Sequence, residues 1–201
     1  IHALRMGWSM FFFRSAVSLY TTANTFILGM FVPPAQVAFY AGPEKLSKAM
    51  LSMLGPISQA LYPRMTRLAV DDPEKAARVG RAALGLMGSL GTSLGVATWA
   101  ASPIIVRVLF GPGYDNAIPV LRILAGLVPV VALSNVLGIQ WMLPNGMDRA
   151  FNTIIATSGL LNLALAFILA PRLGPEGMAI AVLATEVAVT FSMLAVLWRG
   201  H

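Results

Sequence analysis

The stretch AALGLMGSLGTSLGVATWAASPIIV, Ala82 to Val106, contains no charged residue. At 1.5 Å of rise per residue its 25 positions make a helix of about 37 Å, longer than the roughly 30 Å hydrocarbon core of a bilayer. A helix on the surface of a soluble domain keeps a polar or charged face towards water. This one has only small hydroxyls to offer, so lipid is its natural surroundings.

The rest of the chain agrees. Of 201 residues, 57% are hydrophobic and only 11% are charged, and mean hydropathy is +0.76. Ordinary soluble domains carry about 25% charged residues. The formal charge of +6 is spread between apolar runs. It forms no solvated basic face of the kind that grips nucleic acid, so no nucleic-acid partner is expected. Cysteine is absent, which excludes disulfides, thiol catalysis and cysteine metal sites. The chain begins at Ile1 without a basic-apolar-cleavage pattern and reads as a piece of a longer chain.

Six segments are long and apolar enough to span a membrane: about 6–32, 36–62, 82–110, 117–143, 150–170 and 177–198. The breaks between them are short. Pro33 and Pro34 separate the first two, and Asp72-Pro73 looks like a helix cap with proline in the first turn. FGPGYDNA, LPNGMDRA and PRLGPEG are glycine-proline turns. The expected fold is an all-α integral membrane unit of six antiparallel helices in one domain, residues 1–201. Six spans put both ends on one side. That side holds Arg5, Arg64, Arg67, Lys75, Arg78, Arg81, Arg149 and Arg199, against Arg107 and Arg172 on the other. The positive-inside rule makes both ends cytoplasmic.

Four basic residues remain inside spans: Arg14, Lys45, Lys48 and Arg122. A charge at bilayer depth costs about 2.5–3.5 kcal/mol on insertion scales, so these should face a cavity or a partner. Glu44 and Lys48 are four apart and can pair on one helix face, and Lys45 and Lys48 are three apart. Arg122 lies about 7.5 Å from its helix start and can instead snorkel to the interface. Arg14, Ser18, Thr21, Thr22 and Thr25 recur at helical spacing, with Asn24 beside them. Hydroxyls and amides suit sugars; interhelical hydrogen bonding is the plainer use. Glu186, alone in the sixth span, is a counter-ion, an ion-coupling group or a structural ion-pair partner. Gln59, Asn135, Gln140, Asn152 and Asn162 read mainly as interhelical hydrogen-bonding groups. Gly91 to Gly95, GTSLG, is a small-xxx-small pattern that predicts close helix packing, extended by Gly85 and Gly88.

No catalytic constellation is present. His2 and His201 stand at the termini, no acidic cluster has metal-ligand spacing, and no glycine-rich loop leads into a lysine for a nucleotide. Neither metal, cofactor nor enzyme activity is expected.

Five stretches in register carry a family resemblance: SLYTTANTFILGMFVPPAQVAFYAGPEKL from Ser18, ALYPRMTRL from Ala60, LFGPGYDNAIPVLRILA from Leu109, NVLGIQWMLPNGMDRA from Asn135 and NLALAFILAPRLGPEGMAIAVLATE from Asn162. Together they resemble the second half of a Wzx-like polysaccharide flippase of the MOP (MATE-like) superfamily. The resemblance implies one lobe of a two-lobed transporter that flips a polyprenyl-pyrophosphate-linked oligosaccharide across the bacterial inner membrane by alternating access. It implies as partners the lipid-linked substrate, the lipid bilayer and the missing N-terminal lobe, with polysaccharide polymerase and glycosyltransferases acting on the same glycan. Pyrophosphate suits arginine and lysine, so a cationic central cavity is expected, with Arg14, Lys45, Lys48, Arg122, Thr21, Thr22 and Asn24 binding substrate and Glu186 and Glu44 as coupling groups or counter-ions. A cation-coupled multidrug exporter or a lipid II flippase of the same superfamily is the alternative. A membrane glycosyltransferase fits less well because the loops are short, and a non-transporting lobe fits poorly with so many buried polar groups.

Overall fold

The computed structural model describes residues 23–199, and these are helical apart from short turns. Arg14, Thr21 and Thr22 lie outside the described residues. α1 is helical over residues 23–29, α2 is Pro34–Met53, α3 is Gly55–Asp71 and α4 is Pro73–Phe110. α5 (Ala117–Ala125), α6 (Leu127–Asn135) and a π-helical turn (Val136–Met142) follow one another end to end. α7 runs from Asp148 to Arg199 with one non-helical residue, Gly174.

That residue turns α7 into a hairpin. A straight helix would put Asn162 and Thr185 about 34 Å apart, yet Thr185 Oγ1 donates to Asn162 Oδ1 at 3.4 Å. Ile154 and Met193 share one hydrophobic cluster, and both pairs are centred on Gly174. Its φ of 56° and ψ of −132° suit only a residue without Cβ. With the hairpin counted as two, the described chain makes six helical segments: α1, α2–α3, α4, α5–π, and the two arms of α7. It is an all-α, multi-pass membrane protein.

Three helices are long and apolar enough to cross a bilayer by themselves: α4, the composite Ala117–Met142, and α7. The α2–α3 rod is different because α2 carries three charges and α3 has 17 residues. It also breaks at Leu54. Pro56 has no N–H to give the carbonyl four residues back, and the Leu54 N–H turns to Leu51 and Ser52 instead. α3 then continues to Asp71, well past the polarity change near Tyr62. α4 likewise starts at Pro73 rather than near Ala82, because Asp72 caps it by accepting from the Lys75 N–H at 3.0 Å. Its 38 residues make about 57 Å, so Lys75, Arg78 and Arg81 ride on a helical extension beyond the apolar stretch.

Packing follows the hairpins. α4 and α5–α6 fold against each other about the Gly111–Asn116 turn. Their closest approach is at Gly91 and Gly95, where an added Cβ would lie 2.8 Å from Ala132 Cβ and 2.7 Å from the Ala125 carbonyl oxygen. Pro129, lacking an N–H, leaves that Ala125 carbonyl without its usual helical donor. The turns at residues 30–33, 111–116 and 174 gather at one end of the bundle, with Gly174 near Val32 and Gln36, and Gly42 near Phe110. The turns at Asp72 and residues 143–147 lie at the other.

Candidate functional site

Midway between those ends lies a cavity of about 200 Å³ between α1, α2, α5–α6 and the second arm of α7. Glu44 is about 16 Å along the helix from Pro33, and Glu186 about 18 Å from Gly174, roughly half the thickness of a hydrocarbon core. Asn24, Tyr40, Glu44, Ser47, Lys48 and Glu186 supply its polar wall, and Leu51, Leu124, Leu127, Val131 and Val182 the apolar remainder.

Two hydrogen-bonded groups are built into this wall. In the first, Lys48 Nζ sits 3.0 Å from Glu44 Oε1 while Thr25 Oγ1 donates to Glu44 Oε2 at 3.0 Å. Both carboxylate oxygens are engaged, and the Glu44 side chain is 14% exposed against 53% for Lys48. In the second, Asn162 Nδ2 donates to Asn24 Oδ1 at 2.7 Å, and Thr185 reaches Asn162 from behind. These side chains are buried and sit on three different segments, so they tie α1 to both arms of α7. Ser47 Oγ donates to the Leu124 carbonyl at 3.4 Å, joining α2 to α5. Glu186 lines the cavity with no ion-pair partner among the described residues.

Of the residues expected to bind substrate, the cavity brings together Asn24 and Lys48, with Glu44 and Glu186 beside them. Lys45 is exposed one step round α2 and does not line it. Arg122 points to another neighbour. Its Nε donates to Ser102 Oγ at 3.0 Å, and its guanidinium lies 5.1 Å from the centre of the Trp99 ring. That cation–π contact holds the charge on the α4 side of α5, away from the cavity. Among the described residues the lining carries one ammonium and two carboxylates.

Asn162 was legible only as an interhelical amide, and its partner Asn24 as an amide beside the polar stripe and a candidate substrate-binding residue. Thr185 and Ser47 gave no signal beyond being small hydroxyls in apolar runs. Among the described residues no group of three or more His, Asp or Glu side chains could hold a metal ion.

The family model described as "Polysaccharide biosynthesis protein" matches residues 1–69. The "Putative O-antigen transporter" of Escherichia coli (strain K12) is 36% identical over 192 residues, covering 96% of this chain and 46% of that protein. The "Putative O-antigen transporter" of Shigella dysenteriae is 27% identical over 195 residues, covering 96% of this chain and 48% of its own length. The chain thus spans about half the length of these curated relatives. No solved structure matches. Both relatives carry transporter names and neither an enzyme name. By sequence, across nearly its whole length, the chain is similar to proteins named as putative O-antigen transporters.

Proposed function

We propose that the chain is one lobe of a flippase that moves a polyprenyl-pyrophosphate-linked oligosaccharide across the bacterial inner membrane by alternating access, with its basic-rich end cytoplasmic. The observation that carries this reading is the mid-depth cavity whose only described cation, Lys48, is held by a part-buried carboxylate on its own helix. Lysine acts on phosphate as a mobile point charge. With no anion bound, Glu44 balances Lys48; an arriving pyrophosphate competes for the ammonium, and Thr25 keeps Glu44 in place. Arg14, Thr21 and Thr22 are proposed to add to the same site from the segment before α1, Lys45 to act at its approach, and Arg122 to meet the glycan outside the cavity, on the α4 side of α5. The lipid tail stays in the bilayer. The other lobe, the polymerase and the glycosyltransferases complete the proposed set of partners.

The two carboxylates favour a second reading, in which Glu186 and Glu44 bind a coupling cation and the cargo is an organic cation. One experiment separates the two. In a strain lacking its own polysaccharide flippase, the full-length gene is expressed and surface polysaccharide is followed on gels. The flippase reading expects restoration by wild type, severe loss with Lys48→Ala, partial retention with Lys48→Arg and a smaller loss with Lys45→Ala. Failure of wild type to restore any polysaccharide, with drug resistance raised instead, sinks it.

A further inference from the structure

A second and larger cavity, about 460 Å³, opens between α3 and the chain of α6 and its π-turn. Its volume falls in the range of roughly 300–1,000 Å³ typical of small-molecule sites. Ser58, Gln59 and Tyr62 face it from α3 at helical spacing; Asn135, Ile139 and Leu143 face it at intervals of four from the other side. No charged group lines it. The wall therefore offers neutral donors and acceptors, one aromatic ring and an aliphatic floor, which is the chemistry of a sugar with its hydroxyl rim and C–H faces.

The wall is also built rather than incidental. Gln140 is fully buried and its Nε2 donates to Ser58 Oγ at 3.0 Å, leaving the Ser58 hydroxyl hydrogen to donate elsewhere. Gln140 Oε1 has no donor among the described residues. The π-turn puts an extra residue into this stretch, and such turns recur at functional sites. Its Gly138 lets Phe151 and Met193 pack tightly on the opposite side, where a Cβ would lie 2.6 Å from the Phe151 ring. Along the α2–α3 rod Ser58 is about 20 Å from Glu44, towards the basic-rich end, a distance that several linked sugar units can span.

We infer that this cavity is a subsite for uncharged sugar residues, distinct from the charged cavity. The inference rests on the oligosaccharide reading above. The full-length protein is purified in detergent and probed with two compounds: inorganic pyrophosphate, and the oligosaccharide released by mild acid from the host's own lipid-linked glycan. Binding is measured by titration calorimetry. The double variant Gln59→Leu/Asn135→Leu weakens oligosaccharide binding by about tenfold, the effect of losing two ordinary hydrogen bonds. Tyr62→Ala weakens it several-fold and Tyr62→Phe by much less, while pyrophosphate binding stays at the wild-type level in all three. Unchanged oligosaccharide binding in the double variant and in Tyr62→Ala overturns the subsite and leaves the flippase reading standing. If wild type binds pyrophosphate but shows no saturable oligosaccharide signal, the subsite also falls. If it binds neither, the oligosaccharide reading falls with it.

Discussion

Replacing Gly95 by alanine isolates the packing between α4 and α5–α6. The new Cβ would stand 2.7 Å from the Ala125 carbonyl oxygen and 3.1 Å from Pro129 Cδ. Ordinary contacts of this kind begin near 3.4 Å. The two helices must therefore part by roughly 0.7 Å, and a gap of that size forfeits about a quarter to a half of each dispersion contact along the seam. Overpacking of this sort costs about 1–3 kcal/mol. Alanine recovers about 1 kcal/mol over glycine in helix propensity, so the net expectation is a loss of up to about 2 kcal/mol. Gly85 supplies the control on the same helix, because an added Cβ there meets nothing within 4 Å. Gly85→Ala should be neutral or stabilising by up to about 1 kcal/mol. The assay is the temperature at which half of the detergent-solubilised full-length protein stays monodisperse, with each kcal/mol worth a few degrees. A Gly95→Ala protein that melts at or above Gly85→Ala would refute the close approach.

Two further outcomes are expected. Asn162→Leu strips the buried Asn24 amide of its 2.7 Å donor and should cost about 1–3 kcal/mol, whereas Asn24→Leu/Asn162→Leu should melt higher than the single variant because no orphaned group is left; a single variant as stable as wild type would count against the network. The chain has no cysteine, so single cysteines placed at Lys75 and Asp115 should label with a membrane-impermeant thiol reagent from opposite sides, Lys75 from the cytoplasm, and equal labelling from both sides would disprove the orientation.

The all-helical character and the breaks between helices were legible because hydrophobicity and turn chemistry act locally. A charge-free run of 25 residues, the double proline at 33–34 and the Gly-Pro turns each announce themselves within a few positions. The same holds for the Asp72 cap. The candidate site was legible by residue type and much less by placement. Lys45 and Lys48 share a helix face broadly, and only the neighbours of α2 decide that Lys48 meets the cavity while Lys45 turns away. Arg122 was read against snorkelling, but its destination depended on Trp99, a residue 23 positions earlier. Asn24 and Asn162 are separated by 138 positions, and no local rule pairs them. The π-turn left no mark, since its residues, VLGIQWM, would form an ordinary helix in isolation.

The Gly174 hairpin bears on how the chain enters the bilayer. Its two arms are joined by a single non-helical residue, so there is no soluble loop to be translocated as a separate event. Asn162 and Thr185 meet at the same depth, so each arm covers the other's polar groups. The pair, Asp148 to Arg199, is then expected to enter the bilayer as one unit. A tag or protease site spliced in at residue 174 would hold these arms apart and keep them from closing on Asn24 of α1, and its damage would show as degraded chain rather than as slow transport.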